Sequence, residues 1–337
     1  MGSKHGAGGN GFPMGGISDS GAGAFRGHSG RRPRVLAHGG QSFKRMVQDA
    51  THLYWTDAQD GTVTRLAKDG GVPLVLAANQ QEPAGIAVEA GVLYWVNQRG
   101  GTVVRMAASG GDIAIIAANQ ADPECIAVAG RDVVWGNRGD VVSGTLMKGS
   151  TDGGAPVTLA SDQKYPSAVA IDAAHIYWTT RGTKQTEYFT NGAVMSAPRQ
   201  TSGDPKEHVA VAQHQRQPER ITLDDEWLYW TTNGTVMESW WDASVMKRRK
   251  QGGEPIRLAT KTRSADSLTL DATHVYWVES LQSSILRVSK LGGDPVQLLS
   301  SDKGMLLPSS LLVDETCLYW TVFDSRRAGG AIWKMAK

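Results

Sequence analysis

Apolar positions fall in short runs along most of the chain, separated by turn-forming residues. Between residues 72 and 111 there are four such runs, and each is too short for a stable helix. They cover residues 73–77, 85–88, 92–96 and 102–106. This pattern predicts the strands of a small antiparallel sheet, and it is repeated elsewhere in the chain.

An aromatic pair in the third run, Tyr94-Trp95, recurs along the chain, and its spacing gives the length of the repeat. The Trp-to-Trp steps are 40, 40, 43, 52, 47 and 43 residues. The seven pairs are Tyr54-Trp55, Tyr94-Trp95, Val134-Trp135, Tyr177-Trp178, Tyr229-Trp230, Tyr276-Trp277 and Tyr319-Trp320. A period in the forties with four strands per unit is typical of a β-propeller, whose sheets are called blades. We therefore predict an all-β, seven-bladed propeller of four-stranded antiparallel blades, numbered here in the order of these tryptophans.

The two ends of the chain complete each other. Residues 33–37 match the fourth strand of a blade, although no first three strands precede them, and residues 332–336 match a third strand. We predict that the amino-terminal strand pairs with the last blade as its outer strand, which closes the ring and removes exposed edges. Residues 1–30 contain 11 glycines and almost no apolar periodicity. They are expected to form a disordered tail, which leaves residues 31–337 as a single propeller domain.

Composition limits the partners. The 337-residue chain has a formal charge of +2, but residues 1–34 alone carry +4, so the remainder carries −2. The predicted propeller is therefore not basic, and we expect no nucleic-acid partner. No apolar run approaches the roughly 20 residues of a membrane span or resembles a signal-peptide core. We expect no membrane span, and a chain that stays where it is made unless residues 1–30 replace a leader.

Acidic residues stand six positions before most of the repeat tryptophans, at the predicted end of the first strand. They are Asp49, Glu89, Asp172, Asp224, Asp271 and Asp314, with Ala129 interrupting the column. At that position a carboxylate can accept hydrogen bonds from the backbone of the following turn. We expect this column to be structural.

The residues around the aromatic pairs resemble a known repeat. Residues 54–57 read YWTD, and YWTT stands at 177–180 and 229–232. The chain is similar to the YWTD propellers of the low-density-lipoprotein-receptor class B type and to their bacterial relatives of unknown function. The receptor propellers have six blades and lie beside disulfide-rich modules, whereas seven units are counted here and Cys125 and Cys317 fall in distant blades. The resemblance implies the fold.

Three blades lengthen the connection between their second and third strands, at residues 181–191, 233–242 and 324–330. In a propeller this connection lies on the same face as the start of the first strand, around the mouth of the central channel. Aromatic and basic residues on the insertions are candidate binding residues, with packing of the loops on themselves as the alternative. They are Tyr188, Phe189, Trp240, Trp241, Arg326 and Arg327.

A second candidate set lies eleven positions before each tryptophan, where the innermost strand enters the channel. Its members are Lys44, Ala84, Glu124, Ser167, Glu219, Asp266 and Ser309, with Arg45 and Arg220 one step further. Glu124, Glu219 and Asp266 offer the carboxylate oxygens that Ca²⁺ prefers. In outline the placement resembles calcium-dependent lactonases with a propeller fold. The alternative is a set of solvated polar residues lining a wet channel.

Three functions remain open. The first is a non-catalytic, monomeric binding or scaffold propeller without a cofactor, which takes a protein, a peptide or a small molecule at the channel mouth. The second is a calcium-dependent hydrolase or lyase of the lactonase type at the central channel. The third is a sensor or structural module of a larger assembly, with the tail as a tether. The sequence contains no GxSxG, HExxH, P-loop or CxxC motif that would favour another chemistry.

Overall fold

The computed structural model describes residues 25–27, 32–140, 143–185, 188–189, 191–200, 208–234, 242–262, 264–301, 306–324 and 329–337. Within these ranges, seven antiparallel sheets of four propeller strands each form a ring, which confirms the predicted seven-bladed all-β fold. A 3-10 helix spans Ser280–Gln282. No helix of the described part of the chain is long and apolar enough to cross a membrane.

The strands up to the end of blade three are β1 (Phe25–Gly27), β2 (Arg34–His38), β3 (Phe43–Gln48), β4 (His52–Asp57), β5 (Thr62–Ala67), β6 (Leu74–Ala77), β7 (Pro83–Glu89), β8 (Val92–Asn97), β9 (Thr102–Ala107), β10 (Ala114–Ala117), β11 (Pro123–Ala129), β12 (Asp132–Asn137), β13 (Gly144–Ser150) and β14 (Val157–Gln163). Blades four and five contain β15 (Pro166–Ile171), β16 (His175–Thr180), β17 (Lys184–Gln185), β18 (Tyr188–Phe189), β19 (Gly192–Pro198), β20 (Val209–Gln215), β21 (Pro218–Leu223), β22 (Trp227–Thr232), β23 (Ala243–Arg249) and β24 (Ile256–Thr262). Blades six and seven contain β25 (Ser267–Leu270), β26 (His274–Glu279), β27 (Ser284–Ser289), β28 (Val296–Ser301), β29 (Leu306–Val313), β30 (Cys317–Asp324) and β31 (Gly329–Ala336).

The repeated aromatic pair holds neighbouring blades together. Tyr54 of blade one shares a buried cluster with Trp95 of blade two, whereas Trp55 shares another with Tyr319 of blade seven. The same relation holds at the other blade interfaces, with Val134 replacing the tyrosine in blade three. Because successive strand residues point to opposite faces of a sheet, one pair links each blade to both of its neighbours.

The threonine of the YWT sequence accepts a backbone hydrogen bond where the register of the innermost strand shifts. In blade one the β3–β4 register shifts between Phe43 and Met46, close to the channel mouth. There the Thr56 hydroxyl accepts the backbone N–H of Arg45 at 3.3 Å. The equivalent bonds in blades five and seven come from the N–H groups of Arg220 (3.2 Å) and Ser310 (2.9 Å). Bulges of this kind re-aim side chains, so these blades can turn strand residues towards the mouth.

The five aspartates of the acidic column form the predicted turns, whereas Glu89 accepts the Gly130 N–H of the next blade. Asp314, for example, accepts the backbone N–H groups of Thr316 (2.9 Å) and Cys317 (2.8 Å). Lys68 of blade one also donates to Asp314 at 3.2 Å, so this turn is tied to the neighbouring blade. Burial raises the pKa of the Asp314 carboxyl, but these donors outweigh burial and lower the pKa to about 2. Comparable lysine–aspartate pairs between neighbouring blades are Lys250–Asp172, Lys290–Asp224 and Lys337–Asp271.

The ring closes as predicted. Strand β2 pairs antiparallel with β31, with Val35 opposite Trp333 and Ala37 opposite Ile332. Leu36 is 8% exposed and belongs to the buried cluster at the seam between blades seven and one. The amino-terminal strand therefore supplies the outer strand of blade seven and part of the core of the seam.

One short strand lies within the segment assigned to the tail. Strand β1, Phe25–Gly27, pairs with β28 and adds a fifth strand to blade six. Strand addition uses backbone groups at the edge of β28 and requires no apolar alternation, so the hydrophobic pattern does not reveal it. Residues 1–24 and 28–31 lie outside the described residues.

Candidate functional site

Polar side chains that follow the second strands reach across the channel mouth towards neighbouring blades. Gln98, three residues after the repeat tryptophan of blade two, donates to the Glu124 carboxylate of blade three at 2.9 Å. Arg138, at the same position in blade three, lies 3.5 Å from Glu124 Oε2. Arg181, the counterpart in blade four, donates through Nε and Nη2 to both oxygens of Glu219 in blade five, at 2.5 Å each. Each of these side chains therefore engages a carboxylate at the start of an innermost strand.

An aromatic ring connects the two arginines. The Arg138 guanidinium lies 4.4 Å from the centre of the Tyr165 ring, and that of Arg181 lies 4.9 Å from it. Arg138 also donates to the Tyr165 hydroxyl. The Tyr165 backbone has φ of 65°, a conformation uncommon for a bulky residue, and its carbonyl oxygen accepts the Arg181 N–H at 3.0 Å. The turn between blades three and four therefore holds this ring between two cations.

Glu219 is the most deeply buried charge of this group. Its side chain is 7% exposed, and Arg220 Nη1 lies 2.9 Å from the same Oε1 atom that Arg181 contacts. Burial lowers the pKa of Arg181, but Glu219, with a smaller effect of Glu124, outweighs burial and raises it. Two guanidinium groups therefore engage the Glu219 side chain. We call Gln98, Glu124, Arg138, Tyr165, Arg181, Glu219 and Arg220 the mouth network.

The three predicted calcium ligands do not come together. Glu124 and Glu219 belong to the mouth network and face arginines, whereas Asp266 accepts hydrogen bonds from the hydroxyl and the backbone N–H of Ser280. Among the described residues, no group of three or more His, Cys, Asp or Glu side chains could hold a metal ion. Calcium binding stays a prediction, and it would require Glu219 to leave its arginine partners.

Arg45, another predicted binding residue, lies close enough to Cys125 to affect its thiol. Burial, reinforced by Glu124, raises the pKa of the Cys125 thiol to about 12, while Arg45 and Arg181 act weakly in the opposite direction. A buried thiol with this pKa is not an activated nucleophile. Arg45 and Cys125 therefore border the mouth network without adding a reactive group.

The roots of two predicted binding loops stand beside the mouth network. The first insertion begins at Arg181 and is closed at its base by Asn191, which accepts the Thr183 N–H at 2.8 Å and donates to the Thr183 hydroxyl at 2.9 Å. Above this base, β17 and β18 pair as a short hairpin. The second insertion is held at its base by an ion pair of 2.6 Å between Arg216 and Asp242.

Most predicted binding residues of the insertions lie outside the described residues. Tyr188 and Phe189 form β18, of which the structure describes the backbone pairing only. Trp240, Trp241, Arg326 and Arg327 lie outside the described residues. Their role in binding stays a prediction.

Two open clefts flank the mouth network on this face. One has a volume of about 290 Å³ and lies at the base of the first insertion, where Lys164, Asn191 and His214 contribute to its lining. The other has a volume of about 620 Å³ between blades one and two, where Gln81 and Arg99 contribute. Both volumes suit small ligands or short peptide segments.

Sequence reasoning missed four members of the network, Gln98, Arg138, Tyr165 and Arg181. A position three residues after each repeat tryptophan is a detectable signal for the two arginines, since Gln98, Arg138 and Arg181 occupy it in successive blades. Tyr165 has no such signal, because its counterparts in blades two, three and five are Glu82, Asp122 and Gln217. Its importance depends on the left-handed turn that places it between the arginines.

No family model matches the chain, and no curated protein matches it. Solved structures share its fold. A chain of a nidogen/laminin complex is 18% identical with a TM-score of 0.55, and the match covers 74% of this chain and 97% of that one. A streptogramin B lyase is 12% identical with a TM-score of 0.65, covering 93% and 98%. A catalytically inactive virginiamycin B lyase from Staphylococcus aureus with quinupristin is 14% identical with a TM-score of 0.67, covering 93% and 99%. At these identities the likeness shows the propeller fold and no function.

Proposed function

We propose that this protein is a non-catalytic binding propeller with YWTD-type repeats, whose channel mouth takes a protein, peptide or small-molecule ligand. The observation that carries the proposal is the contact of the Tyr165 ring with the guanidinium groups of both Arg138 and Arg181. Arginine and tyrosine are frequent anchors of binding sites, because both combine a flat apolar face with directed hydrogen bonds. Here they stand at the base of an insertion that carries further aromatic residues.

The chemistry of the mouth network favours binding over catalysis. Its titratable acids are Glu124 and Glu219, and both face guanidinium groups. A general acid or base needs a pKa near the working pH and access to the reacting proton. The Glu219 carboxylate, engaged by Arg181 and Arg220, has little access to a reacting proton. The seven residues of the network include no histidine, serine, lysine or cysteine, and Lys164 and His214 line the neighbouring cleft.

The propeller fold does not distinguish a binding protein from an enzyme. Similar structures include a chain of a nidogen/laminin complex and two lyases, so the same architecture serves binding and chemistry. The lyase or hydrolase function, with calcium at Glu124, Glu219 and Asp266, is therefore the outcome against which the binding proposal is tested.

A thermal-shift screen of small molecules and short peptides tests the proposal. Each ligand-induced shift is measured for the wild-type chain, for Arg181→Gln, and for Arg131→Gln as the control. Arg131 is 83% exposed on the opposite face, in the turn between β11 and β12, with Asp152 as its partner. We expect ligands whose shift disappears in Arg181→Gln and persists in Arg131→Gln, and which mass spectrometry recovers unchanged after incubation.

Three results would contradict the proposal. Conversion of a bound compound by the wild-type chain would make the protein an enzyme. Stabilisation by calcium that disappears in Glu219→Gln would place a metal ion where the proposal has an arginine–carboxylate pair. Ligands that bind equally well to Arg181→Gln would move the site away from the mouth network.

A further inference from the structure

The cleft between blades one and two is lined by two opposite charges that do not pair. Its volume is about 620 Å³, and its polar lining consists of Gln59, Gln80, Gln81, Glu82 and Arg99. Glu82 and Arg99 are both exposed, and with the described residues neither side chain forms an ion pair or a hydrogen bond. A carboxylate and a guanidinium, each with free hydrogen-bonding groups, therefore face one polar cleft.

The repeat explains why Glu82 lacks a partner. In blade three the equivalent turn residue is Asp122, whose carboxylate lies 3.4 Å from Arg138 Nε. In blade two the counterpart of Arg138 is Gln98, and its amide donates to Glu124 of the next blade. Both turns have a left-handed backbone, with φ of 55° at Glu82 and 60° at Asp122. Glu82 therefore stands in the same turn as Asp122 without the cation that Asp122 has.

Arg99 is also particular to blade two. It stands four residues after the repeat tryptophan, where the next three blades have Gly139, Gly182 and Gly234. The connection can therefore form without a side chain at this position, and the fold does not require Arg99. Its guanidinium keeps the planar set of donors that suits a carboxylate.

The frame of the cleft is fixed before a ligand arrives. The Glu82 carbonyl oxygen accepts the Gln98 N–H at 2.9 Å, which anchors the turn that carries the carboxylate. Gln80 Oε1 accepts the indole N–H of Trp95 at 3.1 Å, so the Gln80 amide is held in one orientation. A preformed frame lowers the entropy lost on binding.

We propose that this cleft binds a small zwitterion, with the ammonium group of the ligand at Glu82 and its carboxylate at Arg99. A carboxylate matches the two-pronged donors of a guanidinium, and an ammonium group donates to a carboxylate. An anion would be repelled by Glu82 and a cation by Arg99, whereas a zwitterion satisfies both charges. The Gln81 amide offers a donor and an acceptor, as a peptide group does, and can pair with the part of the ligand between the charges.

This site goes beyond the proposed function, because none of the residues that line the cleft belongs to the mouth network. A free amino acid and a peptide of two or three residues share the required chemistry. They differ in the separation of their charged ends, which a series of glycine compounds varies without adding side chains.

Isothermal titration calorimetry of the wild-type chain in a buffer of low ionic strength tests the proposal. The probes are glycine, Gly-Gly and Gly-Gly-Gly, together with each of them acetylated at the amino end or amidated at the carboxyl end. At about pH 6.5 the free α-amino group, with a pKa near 7.7, is mostly charged. We expect saturable binding of at least one probe with both ends free, and a loss of about tenfold when either end is blocked, because one charge-assisted contact is removed. Tightest binding of glycine would identify an amino-acid site, and tightest binding of a longer probe a peptide site.

Two variants assign each end of the ligand to its residue. In Glu82→Gln the free and the acetylated forms should bind alike, and in Arg99→Gln the free and the amidated forms should bind alike, since each variant lacks the partner of the blocked end. Arg131→Gln, on the opposite face, should keep both differences. If a variant fails to fold, the blocked probes on the wild-type chain still decide whether both charges are needed.

The proposal is overturned if no probe with two free ends binds, if blocking either end leaves the affinity of the wild type unchanged, or if both differences persist in the variants. A zwitterion that is lost in Arg181→Gln but retained in Arg99→Gln would belong to the mouth network, which supports the proposed function and refutes this second site. A zwitterion that is lost in Arg99→Gln but retained in Arg181→Gln supports the second site, and the proposed function is then judged by the other ligands of the screen.

Discussion

Leu36 lies in the amino-terminal strand that closes the ring. Replacing it by alanine measures how much that strand contributes to the free energy of unfolding. Leu36 is 8% exposed and packs in one buried cluster with Trp55, Tyr319 and Ile332 across the seam between blades seven and one. Replacing a buried leucine by alanine costs about 2–5 kcal/mol. For a strand at the outer edge of a blade we expect the lower part of that range, about 2–3 kcal/mol. At about 2 °C per kcal/mol in a chain of this size, the melting temperature should fall by roughly 4–6 °C.

The assay is equilibrium unfolding in urea, followed by tryptophan fluorescence, for Leu36→Ala and for Leu291→Ala. Leu291 is 96% exposed in the turn between β27 and β28, so its replacement should change the free energy of unfolding by less than about 0.5 kcal/mol. A chain starting at residue 32 loses only the three-residue strand β1 and should be nearly as stable as the whole chain. One starting at residue 39 also loses β2, which exposes the edge of β31, and should be clearly less stable. Equal effects of the two leucine variants, or equal stability of the two shortened chains, would refute closure by β2.

The remaining predictions concern pH, packing and thiol reactivity. Stability should fall as the pH is lowered from about 4 to 2, because carboxyls of the unfolded chain, with pKa near 3.9, take up protons before Asp314, whose folded pKa is about 2. In Asp314→Asn that loss, read from urea midpoints, should be smaller by about 2 kcal/mol. Gly85→Ala should lower the free energy of unfolding by about 1–3 kcal/mol, because the added Cβ would lie 2.8 Å from the Glu124 carbonyl oxygen and 2.9 Å from Cys125 Cα. Unchanged stability would show that blades two and three can move apart at this contact. A thiol reagent at pH 8 should modify Cys317 quickly but Cys125 only after denaturation, because Cys125 is buried with a pKa of about 12; two fast thiols would contradict this.

Much of the fold could be predicted from the sequence because one local contact is used at every interface. Tyr54 meets Trp95 as Tyr94 meets Trp135, so the spacing of the pairs reports the number of blades. The unmatched strand at residues 33–37 likewise indicated closure, because a blade without its outer strand leaves an exposed edge. Strand β1 escaped detection because its pairing uses backbone groups alone.

The site was harder to predict because its contacts join residues from different blades. Arg181 and Glu219 are 38 residues apart in the chain, and their meeting depends on the geometry of two blade entrances. Viewed in the sequence alone, Glu219 is a free carboxylate and a reasonable calcium ligand. In the folded chain two guanidinium groups already engage it, which no single-blade pattern reveals.

The central claim, that the ligand is taken at the channel mouth, is tested most directly by hydrogen–deuterium exchange of the wild-type chain with and without the tightest ligand from the screen. We predict slower exchange in residues 162–166, 181–192 and 233–242, which contain Tyr165 and the two insertions. The turns on the opposite face, at residues 69–72 and 289–293, should exchange at unchanged rates. Protection confined to those opposite turns, with none at the mouth, would contradict the account.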